Sequence, residues 1–187
     1  MEQDPAYKNV LEVFAQYGFR KTSMAELAEA AGVSRQTLYN RFQSKEAVLG
    51  WAMTGYSDAA EAAAEAALAD ETLDPETRLI SFFREWIGHV VPKMRQFPHF
   101  NELLEASAAQ HQATEDPFSR IGARLSRFLH QHGFASSEEQ ASETAFVVMM
   151  ASKGLIFKSA TVEDYEESMR RVIRVFRRVA PAQADAA

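Results

Sequence analysis

The stretch Thr22–Glu46, TSMAELAEAAGVSRQTLYNRFQSKE, decides the fold. Ser23 and Glu26 have the spacing at which a serine hydroxyl caps a helix while a glutamate reaches back to the cap's own N–H, which predicts a helix from Met24. Met24, Leu27, Ala28 and Ala31 recur at i, i+3, i+4 and i+7 and make one apolar stripe. Gly32 ends that helix, because glycine takes the left-handed conformation a sharp exit needs. Val33 is placed to plug the corner. Ser34 then caps a second helix, in which Leu38 and Phe42 share the inward face. Gln36 and Asn40 point nearly opposite, with Thr37 and Tyr39 on the flanks and Arg35 in the first turn. Ser44 caps a third helix with Lys45 in its first turn. This is the sequence form of a helix-turn-helix, whose second helix enters the DNA major groove.

The outward residues have the chemistry for that task. Glutamine and asparagine each make two hydrogen bonds to an adenine edge, and arginine does so to guanine. Thr37 and Tyr39 suit phosphate or thymine-methyl contacts. The free N–H groups at the start of the third helix, with Lys45, make a phosphate site. The candidate DNA-contacting set is therefore Thr22, Ser23, Ser34, Arg35, Gln36, Thr37, Tyr39, Asn40 and Lys45. Residues 19–45 carry five basic groups against two acidic ones, a net of +3, whereas residues 47–187 carry a net of −6. Positive charge is concentrated where DNA would lie.

The run resembles the DNA-binding domain of TetR-family (tetracycline-repressor-like) transcriptional regulators. The resemblance rests on Phe14, Gly18 and Phe19, then Thr22, Ala28, Ala31-Gly32-Val33-Ser34, Thr37-Leu38-Tyr39, Phe42 and Lys45-Glu46. It covers about the first quarter of the chain. One departure is Gln36, where the family often has a small residue such as glycine. A longer polar side chain there alters sequence preference, not the assignment. The resemblance implies an all-α, two-domain protein: a three-helix DNA-binding domain over residues 1–46, a helical ligand-binding and dimerisation domain over 47–180, and a frayed tail over 181–187.

The rest of the chain is compatible with this. Its 187 residues exceed a lone DNA-binding domain. There is no cysteine, which excludes disulfides, thiol chemistry and cysteine-based zinc sites. The longest purely apolar run, Ala145–Ala151, is far too short to span a bilayer, and no apolar signal segment opens the chain. A cytoplasmic protein with no membrane partner is expected. The overall net charge of −6 suits a regulator with a small DNA-reading patch better than a nonspecific nucleic-acid coat.

Helical periodicity continues to the C-terminus. A first helix is expected to start after Pro5 and to carry Val10, Leu11, Phe14 and Ala15 inward until Gly18. The helix after Ser44 extends to about Asp70 through the alanine- and glutamate-rich DAAEAAAEAALAD, one continuous rod from head to body. Asp74-Pro75 reads as a cap followed by proline at the first helical position, and that helix is expected to stop before Pro92. Further helices are expected over Pro98–Gln110, from Asp116-Pro117 to near Gly133, from the capping boxes of Ser136, Ser137, Glu139 and Gln140, and from near Thr161 to before Pro181. Strand signals are almost absent.

Catalytic and metal motifs are missing. There is no HExxH, GxSxG, P-loop or Rossmann fingerprint. His99, Glu102 and Glu105 lie at three-residue spacing without a ligand motif, and read as solvated or singly bonded side chains. No cofactor and no metal are expected, and the chain is not read as an enzyme.

The resemblance supplies roles for the body. In TetR-like regulators an inducer pocket lies between the DNA-binding head and the dimer helices. Here that implies a lipophilic or aromatic effector lined by Phe82, Trp86, His89, Phe100, Phe118, Ile121 and Met149, with Lys153 and His111 as further polar groups. The last two helices read as a homodimer interface centred on Phe146, Met150, Phe157, Met169, Ile173 and Phe176. The arginines of the last helix, balanced by Glu163, Asp164, Glu166 and Glu167, read as a solvated face. Together these give a repressor that binds palindromic double-stranded operator DNA and is released by an unidentified small molecule. The alternatives are a ligand-independent regulator or an activator, and, from another class, a helical enzyme or ligand carrier with a vestigial helix-turn-helix.

Overall fold

A computed structural model of the chain describes residues 6–111 and 117–179, with side chains over 6–105 and 120–176. The described residues are helical, with no strand among them: α1 Ala6–Tyr17, α2 Met24–Ala30, α3 Arg35–Arg41, α4 Lys45–Ala69, α5 Pro75–Trp86, a 3-10 turn Gly88–Val90, α6 Val91–Gln96, α7 Phe100–His111, α8 Pro117–Gln131, α9 Glu138–Lys158 and α10 Val162–Val179. They form two compact units. Among the described residues, unit 1 comprises 6–60 and 93–111, and unit 2 comprises 61–92 and 117–179. Helix α4 contributes its first part to unit 1 and its last part to unit 2.

In unit 1, α1 packs on α2 and α7, and α2 on α3. Of the residues read as inward, Val10, Leu11, Phe14, Ala15, Met24, Leu27, Ala28 and Leu38 are buried, whereas Ala31 and Phe42 are half-buried. Burying a side chain such as Phe14 stabilises the unit by about 1.5–3 kcal/mol. The three glycine exits are left-handed as their turns require, with φ +81° at Gly18, +67° at Gly32 and +71° at Gly133. Val33 does not plug its corner. It is 40% exposed, and the turn is closed instead by its N–H bonding the Ala28 carbonyl at 3.0 Å.

Unit 2 is built on α8 against α9, and on α10 against α9 and α5. Asp74 caps α5, accepting from the N–H groups of Glu76 and Thr77, and Pro75 is at its start. The helix does not continue to Pro92. It ends at Trp86, where Ile87 leaves the helical region, and a 3-10 turn leads into α6. Pro92 sits in the first turn of α6, where a missing N–H costs nothing. The Asp116 cap expected for α8 lies outside the described residues.

The break after α5 is set by Tyr165 of α10. Its ring is fully buried, and its hydroxyl donates to the Phe83 carbonyl at 3.5 Å. A Cβ added at Gly88 would lie 2.6 Å and 2.7 Å from Cε1 and Cδ1 of that ring. Gly88→Ala is therefore expected to destabilise unit 2 by about 1–3 kcal/mol. Differential scanning calorimetry checks this as a fall of roughly 3–10 °C in the thermal midpoint. An unchanged midpoint would mean that Tyr165 does not pack on Gly88.

Candidate nucleic-acid interface

The three serine caps read in this stretch are present, with Ser44 accepting from the Ala47 N–H at 3.2 Å at the start of α4. The Ser23 hydroxyl accepts from the Glu26 N–H at 3.3 Å, and the Ser23 N–H donates to the Glu26 carboxylate at 2.7 Å. The Ser23 N–H and then its hydroxyl hold the Glu26 carboxyl below its ordinary range. The stability this bond contributes is complete above that ordinary range and is lost as pH falls through the lowered value. Ser34 caps α3, its hydroxyl accepting from the Thr37 N–H at 3.0 Å. Leu38 is the one buried residue of α3, at 2% exposure.

With Leu38 anchored inward, Ser34, Arg35, Gln36, Thr37, Tyr39 and Asn40 are all exposed. They are tied to one another along the helix. The Ser34 and Thr37 hydroxyls are 2.8 Å apart. The Arg35 guanidinium lies over the Tyr39 ring, 5.4 Å from its centroid. Gln36 Nε2 donates to Asn40 Oδ1 at 2.9 Å. The surface is thus a set of hydrogen-bonding and cationic groups on a seven-residue helix held by one apolar anchor.

Thr22 and Lys45, also of the expected set, direct their side chains to backbone carbonyls of the chain itself. Thr22 is 2% exposed, and its hydroxyl donates to the Gly18 carbonyl at 2.9 Å. Lys45 Nζ donates to the carbonyls of Phe19, Arg20 and Thr22 at 2.9, 3.3 and 2.8 Å, and sits over the Phe19 ring. An ammonium has three donors, so this arrangement uses them all. The first residue of α4 thereby staples the connector between α1 and α2. His99 braces the same connector from beside α7: its ring meets Gly18, its N–H donates to the Ala15 carbonyl at 3.0 Å, and its Nδ1 pairs with Glu102 at 2.8 Å. Lys45→Met keeps the apolar stem and removes the three bonds. It is expected to lower the affinity for every duplex alike, with the salt dependence of binding unchanged. A shallower salt dependence would show instead that Lys45 neutralises a phosphate.

The residues expected around an effector divide between the units. Phe82, Trp86, His89, Ile121 and Met149 belong to unit 2, whereas Phe100 belongs to unit 1 and is 7% exposed there. The side chain of Phe118 lies outside the described residues. Phe82, Phe83 and Trp86 form an aromatic cluster, with centroids 4.9, 6.2 and 6.3 Å apart. Between α8 and α9 lies a groove of about 570 Å³, floored by Gly122, Ala123, Ala145 and Met149 and rimmed by Arg127, His130, Glu138 and Phe146.

The residues expected at a dimer interface also divide. Phe146, Met150 and Phe157 are 63%, 39% and 60% exposed. Met169 and Ile173 are buried within the chain itself, at 0% and 2%, and Phe176 is half-buried. The apolar side of α10 therefore belongs to the core of unit 2. Two exposed residues not singled out in the sequence, Val147 and Val175, add to the apolar surface of α9 and α10. Among the described residues there is no cluster of histidine and acidic side chains suited to a metal, and no helix long and apolar enough to cross a membrane.

Residues 10–50 match the sequence profile of bacterial regulatory proteins of the tetR family. The chain is 34% identical over 82 residues to the HTH-type transcriptional repressor ComR of Escherichia coli (strain K12). That alignment covers 44% of this chain and 39% of ComR. Over almost the whole length the fold is similar to that of a transcriptional regulator from Rhodococcus sp. Rha1, with a TM-score of 0.67 at 18% identity, covering 98% of this chain and 100% of the other. It is similar to PfmR, a TetR-family regulator from Thermus thermophilus, with a TM-score of 0.60 at 20% identity, covering 94% and 98%. It is also similar to a TetR variant from Acinetobacter baumannii AYE in complex with minocycline, with a TM-score of 0.53 at 18% identity, covering 97% and 99%.

Proposed function

From the premise that this chain belongs to the TetR family of transcriptional regulators, we propose that it is a homodimeric repressor released from a palindromic operator by a small lipophilic or aromatic ligand. The observation that carries the DNA reading is the exposed face of α3, with every outward side chain polar, cationic or aromatic and only Leu38 buried. A helix presented in this way offers its side chains to base edges and phosphates. Two copies related by a two-fold axis would read half-sites about one helical turn, roughly 34 Å, apart or slightly more. Residues 1–46 are the DNA-reading part in this account, and 47–180 hold the ligand and the partner.

The second copy is supported by the apolar residues left open on α9 and α10. Phe146, Val147, Met150, Phe157 and Val175 are large and exposed, and they are the apolar surface that a second copy would cover. In this reading the ligand binds within unit 2, among Phe82, Trp86, Ile121 and Met149, with His89 as a polar group. Ligand and DNA then oppose each other by linkage, whatever path in the structure joins them. The test is selection of bound sequences from random duplex DNA by the purified protein, followed by sedimentation of the complex. A recovered palindrome bound by two chains is the expected result, and no enrichment would refute the reading.

Lipophilic probes are expected to quench Trp86 fluorescence saturably and to release the selected duplex at the same concentrations. A tenfold shift off DNA requires the ligand to favour the released state by about 1.4 kcal/mol. A broad lipophilic panel that leaves DNA affinity unchanged would reduce the body to a dimerisation module.

A further inference from the structure

We propose that two copies of the chain pair through α9 in antiparallel register, with Gly154 of each copy receiving Val147 of the other and Glu143 of each meeting Lys158 of the other. This rests on the homodimer reading given above and adds to it which helix lies on the two-fold axis and at which residues.

Helix α9 is apolar on two sides. Ala145, Val148, Met149 and Ile156 are buried within unit 2. On the other side Val147, Met150 and Phe157 are 48%, 39% and 60% exposed. With 3.6 residues per turn, Glu143, Val147, Met150, Gly154 and Phe157 follow one another along that outer face, and all five are exposed. Gly154 thus interrupts an apolar row inside a helix that runs from Glu138 to Lys158. Glycine in a helix interior costs stability relative to alanine, because its backbone loses more freedom on folding. The chain itself makes no use of it there. Gly154 has no left-handed backbone, and a Cβ added to it would meet no atom within 4 Å. What the missing side chain does provide is a notch into which a helix from outside can settle closely.

The charges on the same face select the partner and its direction. Glu143 and Lys158 are exposed near its two ends, and neither has an ion pair among the described residues. A face acidic at one end and basic at the other complements a second copy of itself when that copy runs the opposite way. Two-fold symmetry then puts the axis midway between the paired positions, at Met150 and Ala151. The same axis sets Val147 opposite Gly154, so the notch receives an apolar side chain from the partner copy. Pairing Lys158 with Glu139 instead would set the Glu143 carboxylate over the notch, with no cation for it. One register alone both matches the charges and fills the notch.

The experiment uses the full chain. Glu143→Lys and Lys158→Glu are each expected to weaken self-association about tenfold or more in sedimentation, since each makes two like-charge contacts per dimer. Mixed together, with one of them isotopically labelled, they regain two opposite-charge contacts. Native mass spectrometry is expected to show mixed pairs well above the roughly one half that random exchange gives. Gly154→Leu is expected to be a folded monomer by circular dichroism and sedimentation, because its own chain has room for the side chain. The chain has no cysteine, so Val147→Cys mixed with Gly154→Cys is expected to form a disulfide-linked pair on mild oxidation. Neither is expected to link to itself, like positions being about 10 Å apart along the helix. Random pairing of the charge variants, a Gly154→Leu chain that dimerises as tightly as the unsubstituted one, or self-linking of Val147→Cys overturns the register and leaves the homodimer reading standing. An unsubstituted chain that sediments as a monomer overturns both.

Discussion

Glutamate in place of Ile173 is expected to unfold unit 2, whereas glutamate in place of Phe157 is expected to leave a folded chain that no longer pairs with itself. The two residues lie on adjacent helices and look alike in sequence, yet Ile173 is 2% exposed and Phe157 60%. A carboxylate at Ile173 loses its hydration in the core of unit 2. Burying an unpaired charge costs several kcal/mol, a large fraction of the total stability of a domain. At Phe157 the carboxylate stays in water in the single chain, so the fold is spared. In an isologous contact it would occur twice, and that repeated, desolvated charge would separate the copies. A separated chain holds one half-site at a time and is expected to bind the full operator on the order of a hundredfold more weakly. Circular dichroism and sedimentation distinguish the outcomes. A folded Ile173→Glu chain would contradict the core assignment, and a dimeric Phe146→Glu, Phe157→Glu double variant would contradict the proposed interface.

Arg78→Ala is expected to cost about 2–4 kcal/mol, because it removes a buried cation that completes another helix. Arg78 is 8% exposed. Its Nε donates to the Leu68 carbonyl at 2.7 Å, and its Nη2 donates to the same oxygen. Leu68 is in the last turn of α4, where the final carbonyls lack partners within the helix. The guanidinium also lies over the Phe128 ring, 5.0 Å from the centroid, and so joins the end of α4 to α8 within unit 2. Nearby Asp70 is held below its ordinary range first by the Thr72 hydroxyl and N–H, with a smaller contribution from Arg78. Arg78→Lys is not expected to rescue, since a single ammonium replaces neither the fork on Leu68 nor the planar stack on Phe128. Thermal unfolding checks this, and a midpoint within about 2 °C of the unsubstituted protein would contradict it.

What was legible in the sequence was local. Ser23 with Glu26, Gly32 and Ser34 specify a helix end, a corner and a helix start through bonds three residues apart, and those bonds are present. The outward face of α3 followed from the same periodicity. Partners distant in sequence were not legible. Nothing near Lys45 shows that its ammonium meets carbonyls more than 20 residues earlier, so a phosphate contact was the natural reading. Arg78 is equally silent in the sequence, because its partner Leu68 lies ten residues away in another helix. The period of α10 shows that Met169 and Ile173 are covered, but it cannot say whether the cover comes from the same chain or another. Pro92 reads as a stop in the sequence because proline ends helices from within, yet it also begins them, and only the path of the backbone distinguishes the two.

The account stands most directly on whether the exposed face of α3 discriminates among DNA sequences. The decisive measurement is the ratio of affinities for a selected duplex and a scrambled one, taken at fixed salt for the unsubstituted protein and for a chain carrying Arg35→Ala, Gln36→Ala and Tyr39→Ala together. All three side chains are exposed, so the fold is expected to survive. The account predicts a ratio of about a thousandfold or more for the unsubstituted protein, collapsing toward one in the triple variant with its helical content unchanged. A triple variant that keeps the full ratio would contradict the assignment of α3 as the reading helix.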